Sequence, residues 1–584
     1  VGAFVASAGV ACSSTSDPAP TPAADGGADP CPRTEAPVKP LGAPRTPRWA
    51  FEPWISKDIS TRDDTYAFVD GFRERGIPVG AVVIDSPWET AYNSFVPNPT
   101  RYADMPGMIR DMHQRGVRVV LWVTQMNNDQ SFDFEPGGDL YSGPSPSFEE
   151  GQRCNYYLDD GQTWQWWKGS GAAVDFFNPS ARAFWHEQQN AILNAGIDGW
   201  KLDFGESYIL SDKVKSFEGV KSRQEYSERY YEDYLAYGRS VRGDDFVTMV
   251  RAWDASYQFE GRFFAKKEHA PVAWMGDNRR DYVGLADALD HMFVSSKAGY
   301  VTVGSDIGGY LDHDDKNLAG PEIPFDSVNF ARWTAIGALN PFMQLHGRGN
   351  FTPWTVPDHA EETVSLYKYW STLHHALVPF FHSLSEEGWA GKVAPTLRPV
   401  GAPETWAGDY RYLLGDAFFV APLLDPSGKR AVVIPEGATY YDFWSTKTEQ
   451  GGATVTVDYS QDRARLPLWI REGAIVPMDV EDATLGLGDA ASKGSRTVLV
   501  YPSAKKTSFV EHEEDGKTRT LEAAVEGTGF VVTLSAASRP VVLRVRADVA
   551  PTSVEGGTFQ YDADKKVVIV KVPASAGPVT IRGK

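Results

Sequence analysis

The stretch Asp198-Gly-Trp-Lys-Leu-Asp-Phe-Gly-Glu206 reads as a short apolar strand ending in two carboxylates, Asp203 and Glu206. Further along, Ala273-Trp-Met-Gly-Asp-Asn278 ends a second strand in Asp277. Two acids at strand ends suit cleavage of a glycosidic bond, in which one carboxylate attacks while the other protonates the leaving oxygen. Side chains two apart on a strand share a face, so Lys201 and Asp203 should point the same way. A neighbouring ammonium would keep Asp203 ionised, as a nucleophile must be, although a buried lysine paired for stability gives the same pattern. Asp277 must instead hold a proton, and both Trp274 beside it and the charge on Asp203 should raise its pKa. Once Asp203 is esterified that charge is gone, and Asp277 can act as base toward water.

A fold has to bring these distant residues to one place. Apolar runs at 80–84, 118–123, 172–176, 199–202, 246–250, 272–275, 300–304 and 341–345 alternate with amphipathic stretches such as 105–114, 181–194, 224–237 and 361–374. Eight strands, each followed by a helical segment, predict an α/β fold, a (β/α)8 TIM barrel whose strands are near-continuously apolar. Active sites of such barrels lie at the C-terminal strand ends. Asp85, Trp88, Trp122, Asp203, Arg251, Asp277, Asp306 and His346 all fall there and would ring one pocket. Helix capping accounts for any single acid after a strand, but not for the set. Arg251 and His346 read as donors to sugar hydroxyls or carboxylates, with a core salt bridge as the other reading of Arg251.

Beyond about residue 395 the pattern changes to short alternating strands with Gly/Pro/Asp turns, which predicts C-terminal all-β sandwich domains. The expected division is a signal remnant and Pro/Ala-rich tether over 1–47, the catalytic barrel over 48–392, a proximal β-sandwich over 393–489 and a distal one over 490–584. With 57 basic against 77 acidic residues the net charge is −20, which argues against nucleic acid or anionic lipid as partners and for a neutral substrate. The 18 tryptophans suit sugar binding, but they suit a large core equally well.

Three cysteines, Cys12, Cys31 and Cys154, provide no disulfide framework and no metal-ligand spacing. Cys31 and Cys154 either pair in an oxidising compartment or are unrelated thiols. Small residues run from Gly2 to Cys12, and a Ser/Thr/Pro/Ala tether follows over 13–24, much like the tail of a bacterial lipoprotein signal, with Gly9 where a leucine is usual. Lipidation at Cys12 would anchor the protein to a membrane, with ordinary secretion and an unprocessed tail as the alternatives. The first two place it outside the cytoplasm.

The motifs, in order, are Val82-Val-Ile-Asp-Ser-Pro-Trp88, Leu121-Trp-Val123, Val174-Asp-Phe-Phe-Asn-Pro179, Trp200-Lys-Leu-Asp-Phe-Gly-Glu206, Trp274-Met-Gly-Asp-Asn278, Gly304-Ser-Asp-Ile-Gly-Gly309 and Arg332-Trp with Pro341-Phe-Met-Gln-Leu-His346. This series resembles glycoside hydrolase family 31. Tyr412-Leu-Leu-Gly-Asp-Ala-Phe-Phe-Val-Ala-Pro422, Tyr441-Asp-Phe-Trp444 and Ile470-Arg-Glu-Gly-Ala-Ile-Val-Pro477 look like that family's proximal sandwich, and Glu513-Glu-Asp-Gly516 like its distal one. The resemblance implies Asp203 as nucleophile, Asp277 as acid/base, a covalent glycosyl-enzyme with retention of configuration, and no metal or cofactor. It also implies that Asp85, Trp122, Arg251, Trp274, Asp306 and His346 line the subsite for the non-reducing-end sugar. Trp88, Lys201 and Glu206 complete the expected substrate-binding set.

Most members of that family carry a large N-terminal sandwich, a loop of which helps wall the site. The insert over 127–171, with Tyr156, Tyr157, Trp164, Trp166 and Trp167, is expected to supply that wall, a self-packed surface loop being the alternative. Asp-Phe-Gly-Glu after a lysine, with Leu158-Asp-Asp-Gly-Gln-Thr-Trp-Gln-Trp-Trp167, looks like the α-xylosidase branch, whereas Ser86-Pro87-Trp88 lacks that branch's aromatic crowding around C6. α-Xyloside, α-glucoside and α-galactoside therefore stay open. The activity implied is that of a retaining, exo-acting α-glycosidase. The alternatives are a transglycosylase on the same residues and a sugar-binding lipoprotein without catalysis.

Overall fold

A computed structural model describes residues 31–131, 143–257, 259–535, 538–574 and 577–582. Eight parallel strands close into a barrel: β1 (Trp54–Lys57), β2 (Ala81–Ile84), β3 (Arg118–Val123), β4 (Gly199–Leu202), β5 (Val247–Arg251), β6 (Val272–Met275), β7 (Val303–Ile307) and β8 (Gln344–Leu345). The last strand pairs back onto β1. Around the barrel run α1 (Arg62–Glu74), α2 (Met105–Gln114), α3 (Pro179–Ala195), α4 (Arg223–Arg242), α5 (Tyr282–Lys297), α6 (Ser327–Ala338), α7 (Ala360–Ala376) and α8 (Val378–Trp389).

Strand parity builds the interior. Trp54, Ala81, Val83, Val120, Val247, Met249, Val272, Trp274 and Phe342 pack against one another inside the barrel. The intervening Val82, Ile84, Leu121, Val250, Ala273 and Met275 join the core shared with the helices. Side chains alternate faces along a strand. Two residues further on this parity lie Asp85, Trp122 and Arg251, and four further, past Trp54 and Phe342, lie Asp58 and His346; Asp203 and Asp306 keep the parity of Gly199 and Gly304. The sequence pattern that fills the core is thus the same one that aims the site.

Helix starts follow their capping chemistry. Thr61 with Asp64, and Ser222 with Glu225, form capping boxes at α1 and α4. Asp281 and Asp326 cap α5 and α6. None of these caps is one of the acids at the strand ends, so capping does not explain those acids.

Two expectations need correction. The run at 172–176 is not a barrel strand: Gly169–Ala173 is the centre of an antiparallel three-stranded sheet with Met126–Ser131 and Thr163–Trp166, inside the β3–α3 insert. The strand that completes the barrel is β1, whose sequence Trp-Ile-Ser-Lys is half polar and gives no apolar run. In addition, β5 is followed by a two-stranded hairpin (Trp253–Asp254 and Arg262–Phe263) and a 3-10 turn (Lys267–His269) rather than a helix.

After the barrel, a six-stranded sheet and a two-stranded ribbon enclose Phe419, Val432, Ile434, Tyr440 and Trp469. Two five-stranded sheets then share a second core. Strand Ile475–Met478 pairs with Arg496–Val500 and so belongs to this second pair of sheets. Arg332 on α6 donates to the carbonyls of Tyr459, Asp462, Arg463 and Arg465, fixing a loop of the first β unit to the barrel. Cys31 and Cys154 form a disulfide. Next to it, Arg33 pairs with Glu150 and Glu187, and Arg182 on α3 pairs with Glu35 at 2.6 Å, so the N-terminal segment straps the insert to α3. Cys12 and the tether around it lie outside the described residues.

Candidate active site

Arg251, at the end of β5, is the hub. Its Nη2 donates to Asp203 Oδ1 at 3.1 Å and to both oxygens of Asp277 at 3.1 Å. Its Nη1 donates to Asp254 Oδ2 at 2.5 Å. The shared nitrogen keeps the two carboxylates within twice that distance of each other, which accommodates the roughly 5–5.5 Å of a retaining pair. Arg251 side-chain exposure is 1%, whereas Asp203 and Asp277 keep 12% and 13%, so the acids face the opening and the cation stands behind them. Gly276 makes this possible: a Cβ there would lie 1.5 Å from Arg251 Nη1.

Asp203 also accepts from Trp122 Nε1 at 3.0 Å and from the Phe204 amide at 2.9 Å. These donors hold its carboxylate in one orientation. Asp277 accepts from the Tyr257 hydroxyl at 2.8 Å. Burial lifts the Asp277 carboxyl above the usual carboxylate range; Arg251 opposes that, and the charges of Asp203 and Asp254 add to it. This is the direction a proton donor needs.

Lys201 shares the inward face with Asp203 as strand parity requires, but its ammonium bonds elsewhere. It donates to Asp85 Oδ2 at 2.6 Å and lies 3.2 Å from His346 Nε2. Burial works against its charge, yet Asp85, with Asp306 and Asp203 behind it, raises its pKa above the ordinary lysine value. Burial and the Lys201 charge hold His346 neutral, well below the usual histidine range. Asp306 accepts from Gln344 Nε2 at 2.6 Å. Burial pushes its pKa to about 8 against the pull of Lys201, so it carries a proton at neutral pH. Trp274 lies beneath both cations, 4.7 Å from the Arg251 guanidinium and 5.3 Å from the Lys201 ammonium. Asp85, Trp122, Lys201, Asp203, Arg251, Trp274, Asp277, Asp306 and His346 are therefore brought together at one end of the barrel.

Trp88 and Glu206 are not part of that lining. Trp88 is buried against Trp200, an outward-facing strand residue, and its indole donates to the Trp122 carbonyl at 2.7 Å. Glu206 is fully buried and accepts from Ser227 and Tyr231 of α4 and from Arg262 of the hairpin, which makes it a strut behind the pocket. Of the insert's aromatics, Tyr156, Tyr157, Trp164 and Trp166 are buried, Tyr156 against Phe184 of α3 and Trp166 against Tyr92, while Trp167 reaches Trp122 and Phe204 at 6.2 and 5.7 Å. The insert thus both packs on itself and touches the site.

Sequence reasoning missed Asp58, Asp254, Tyr257 and Tyr310. Asp254 lies three residues past Arg251, a spacing that could have suggested a partner for the guanidinium. Tyr257 sits in the hairpin with φ 61° and carries no motif that would mark it. A separate cleft of about 1110 Å³ opens at the other, N-terminal end of the barrel, with Arg48, Trp49 and Glu52 among its lining, and holds none of the residues above.

Residues 43–384 match the glycosyl hydrolases family 31 TIM-barrel domain, and residues 395–476 match the glycosyl hydrolase family 31 C-terminal domain. An α-xylosidase of Lactiplantibacillus pentosus is 25% identical over 74% of this chain and 54% of its own length. Alpha-glucosidase 2 of Bacillus thermoamyloliquefaciens is 24% identical over 82% of this chain and 59% of its own. The chain spans about half the length of the curated relatives it matches. Among solved structures, the cycloalternan-forming enzyme of Listeria monocytogenes, in complex with a pentasaccharide substrate, shares the fold with a TM-score of 0.77 at 19% identity, over 94% of this chain and 55% of that one.

Proposed function

The chain belongs to glycosyl hydrolase family 31, and on that premise we propose that it is a retaining, exo-acting α-glycosidase that removes a terminal α-linked sugar from the non-reducing end. Asp203 is the nucleophile and Asp277 the acid/base. The observation that carries this reading is the single Arg251 nitrogen 3.1 Å from both carboxylates, at the ends of strands flanking its own. One guanidinium holds both acids to a common face, where an anomeric carbon can be attacked from one and its leaving oxygen protonated by the other. Asp203 carries fixed donors and so suits the ionised role; Asp277 has its pKa raised and so suits the protonated one.

Trp274 and the Lys201–Asp85–His346 group close the pocket below the acids, which supports cleavage at a chain end rather than within a chain. Glycosides are accordingly the partners expected, held by hydrogen bonds from neutral and paired groups. The disulfide between Cys31 and Cys154 supports a location outside the cytoplasm, where such bonds persist.

The test is a panel of p-nitrophenyl α-glucoside, α-xyloside and α-galactoside, with the first-formed anomer followed by proton NMR. Release of an α-configured sugar from at least one is expected. An initial β-anomer, or sugar binding with no release from any member, contradicts the reading.

A further inference from the structure

Asp58 follows β1 directly, on the inward parity of Trp54 and Ser56, and is buried. In the closed barrel β1 stands across from β5. Asp203, Arg251 and Asp277 lie at the ends of β4, β5 and β6; Asp58, Asp85 and His346 lie at the ends of β1, β2 and β8, on the facing wall. A pyranose with its anomeric carbon between Asp203 and Asp277 therefore turns its C4–C5 edge toward Asp58.

The Asp58 amide, carbonyl and Oδ2 are each held by a hydrogen bond. Its amide donates to Asn350 Oδ1 at 3.0 Å, and Asn350 Nδ2 donates to its carbonyl at 3.0 Å. The Tyr310 hydroxyl donates to its Oδ2 at 2.8 Å, and its Oδ1 lies 3.6 Å from His346 Nε2. Tyr310 in turn stacks on His346 at 4.9 Å. Asp85, beside it, is already bonded to Lys201 at 2.6 Å.

Two carboxylates thus meet one edge of the sugar. A pentopyranoside offers that edge a hydroxyl at C4, and a hexopyranoside adds a second on C6. A carboxylate is an acceptor with about four lone-pair positions, so it suits a sugar hydroxyl as donor. A site built to bond a hydroxyl rejects the analogue lacking it far more strongly than an apolar pocket would, because its polar groups are then left unpaired. Resting on the glycosidase reading above, we propose that Asp58 is a specificity-determining residue that accepts the C6 hydroxyl of a hexopyranoside and makes the pocket prefer hexosides over pentosides.

The test compares wild type, Asp58→Ala and Asp58→Asn on p-nitrophenyl α-glucoside, α-galactoside, α-xyloside and 6-deoxy-α-glucoside. Calorimetric binding of glucose, 6-deoxyglucose and xylose is measured in parallel. Asp58→Ala should lose roughly a hundredfold in kcat/KM on the preferred hexoside and less than about threefold on the xyloside and the 6-deoxy sugar. Asp58→Asn, whose amide oxygen still accepts, should keep part of the preference and carries the test if the alanine variant does not fold. Equal losses on all substrates overturn the inference. A wild type that cleaves none of them contradicts the glycosidase reading instead. The binding data then decide for Asp58: selective loss of glucose affinity supports it, and uniform loss overturns it.

Discussion

Three carboxylates draw on the Arg251 guanidinium, so its position sets theirs. Gly276 leaves the space in which it lies. Gly276→Ala should therefore displace the guanidinium and lower kcat by about a hundredfold, the usual cost of a misplacement near 1 Å, with a stability loss of only about 1–3 kcal/mol from overpacking. Steady-state kinetics beside thermal melting would check this; unchanged kcat would mean that Arg251 does not organise the acids. The Tyr257 hydroxyl favours the ionised form of Asp277, because it donates to that carboxylate. In the general-acid role proposed for it Asp277 must be protonated, so kcat/KM should fall as pH rises through its raised pKa. Removing the donor in Tyr257→Phe pushes that pKa higher still, and the alkaline limb of the profile should move to higher pH. A limb that moves down or stays put would assign it to another group.

At the scale of elements, the insert and the strap that holds it are the parts to perturb. The disulfide spans 123 residues of sequence, for which loop-closure entropy gives roughly 4–5 kcal/mol of stabilisation. Cys154→Ser, or reductant added to the wild type, should lower the melting temperature, while reductant should not alter the serine variant. A wild-type melting curve indifferent to reductant would remove the strap from the account. The same scale shows what was legible in the sequence. Seven barrel strands announced themselves through apolar runs, most plainly Arg118–Val123, where Val, Leu and Trp fall on both faces. β1 did not, because Ser56 and Lys57 occupy half of a four-residue strand, and its end residue Asp58 went unseen with it. The insert strand Gly169–Ala173 took its place in the reading, since Ala and Gly beside Val174 mimic a buried parallel strand when pairing direction is unknown. At the site, strand parity aimed Lys201 correctly, but the ammonium's choice of Asp85 over Asp203 depends on the distance across the barrel, which no local pattern carries. Trp88 and Glu206 fell on the same strand-end signal and turned outward or behind, because they lie past the last residue whose face the strand fixes.

For the whole molecule, charge is the governing property. The chain carries −20, and the pocket repeats the excess, with Asp58, Asp85, Asp203 and Asp254 around the cations Lys201 and Arg251. Such a field repels anionic sugars. p-Nitrophenyl α-glucuronide should therefore be cleaved at least about a hundredfold more slowly than the matching neutral hexoside, with the gap widest at low ionic strength; comparable rates would show that the acids are neutralised in use.

The covalent step of the proposed mechanism can be caught. Incubation with a 5-fluoro-α-glycosyl fluoride of the preferred sugar should leave a glycosyl adduct in the intact mass, and peptide mapping should place it on the segment containing Asp203, with Asp203→Asn forming none. An adduct on another carboxylate, or normal turnover of the Asp203→Asn variant, would contradict the assignment of the nucleophile.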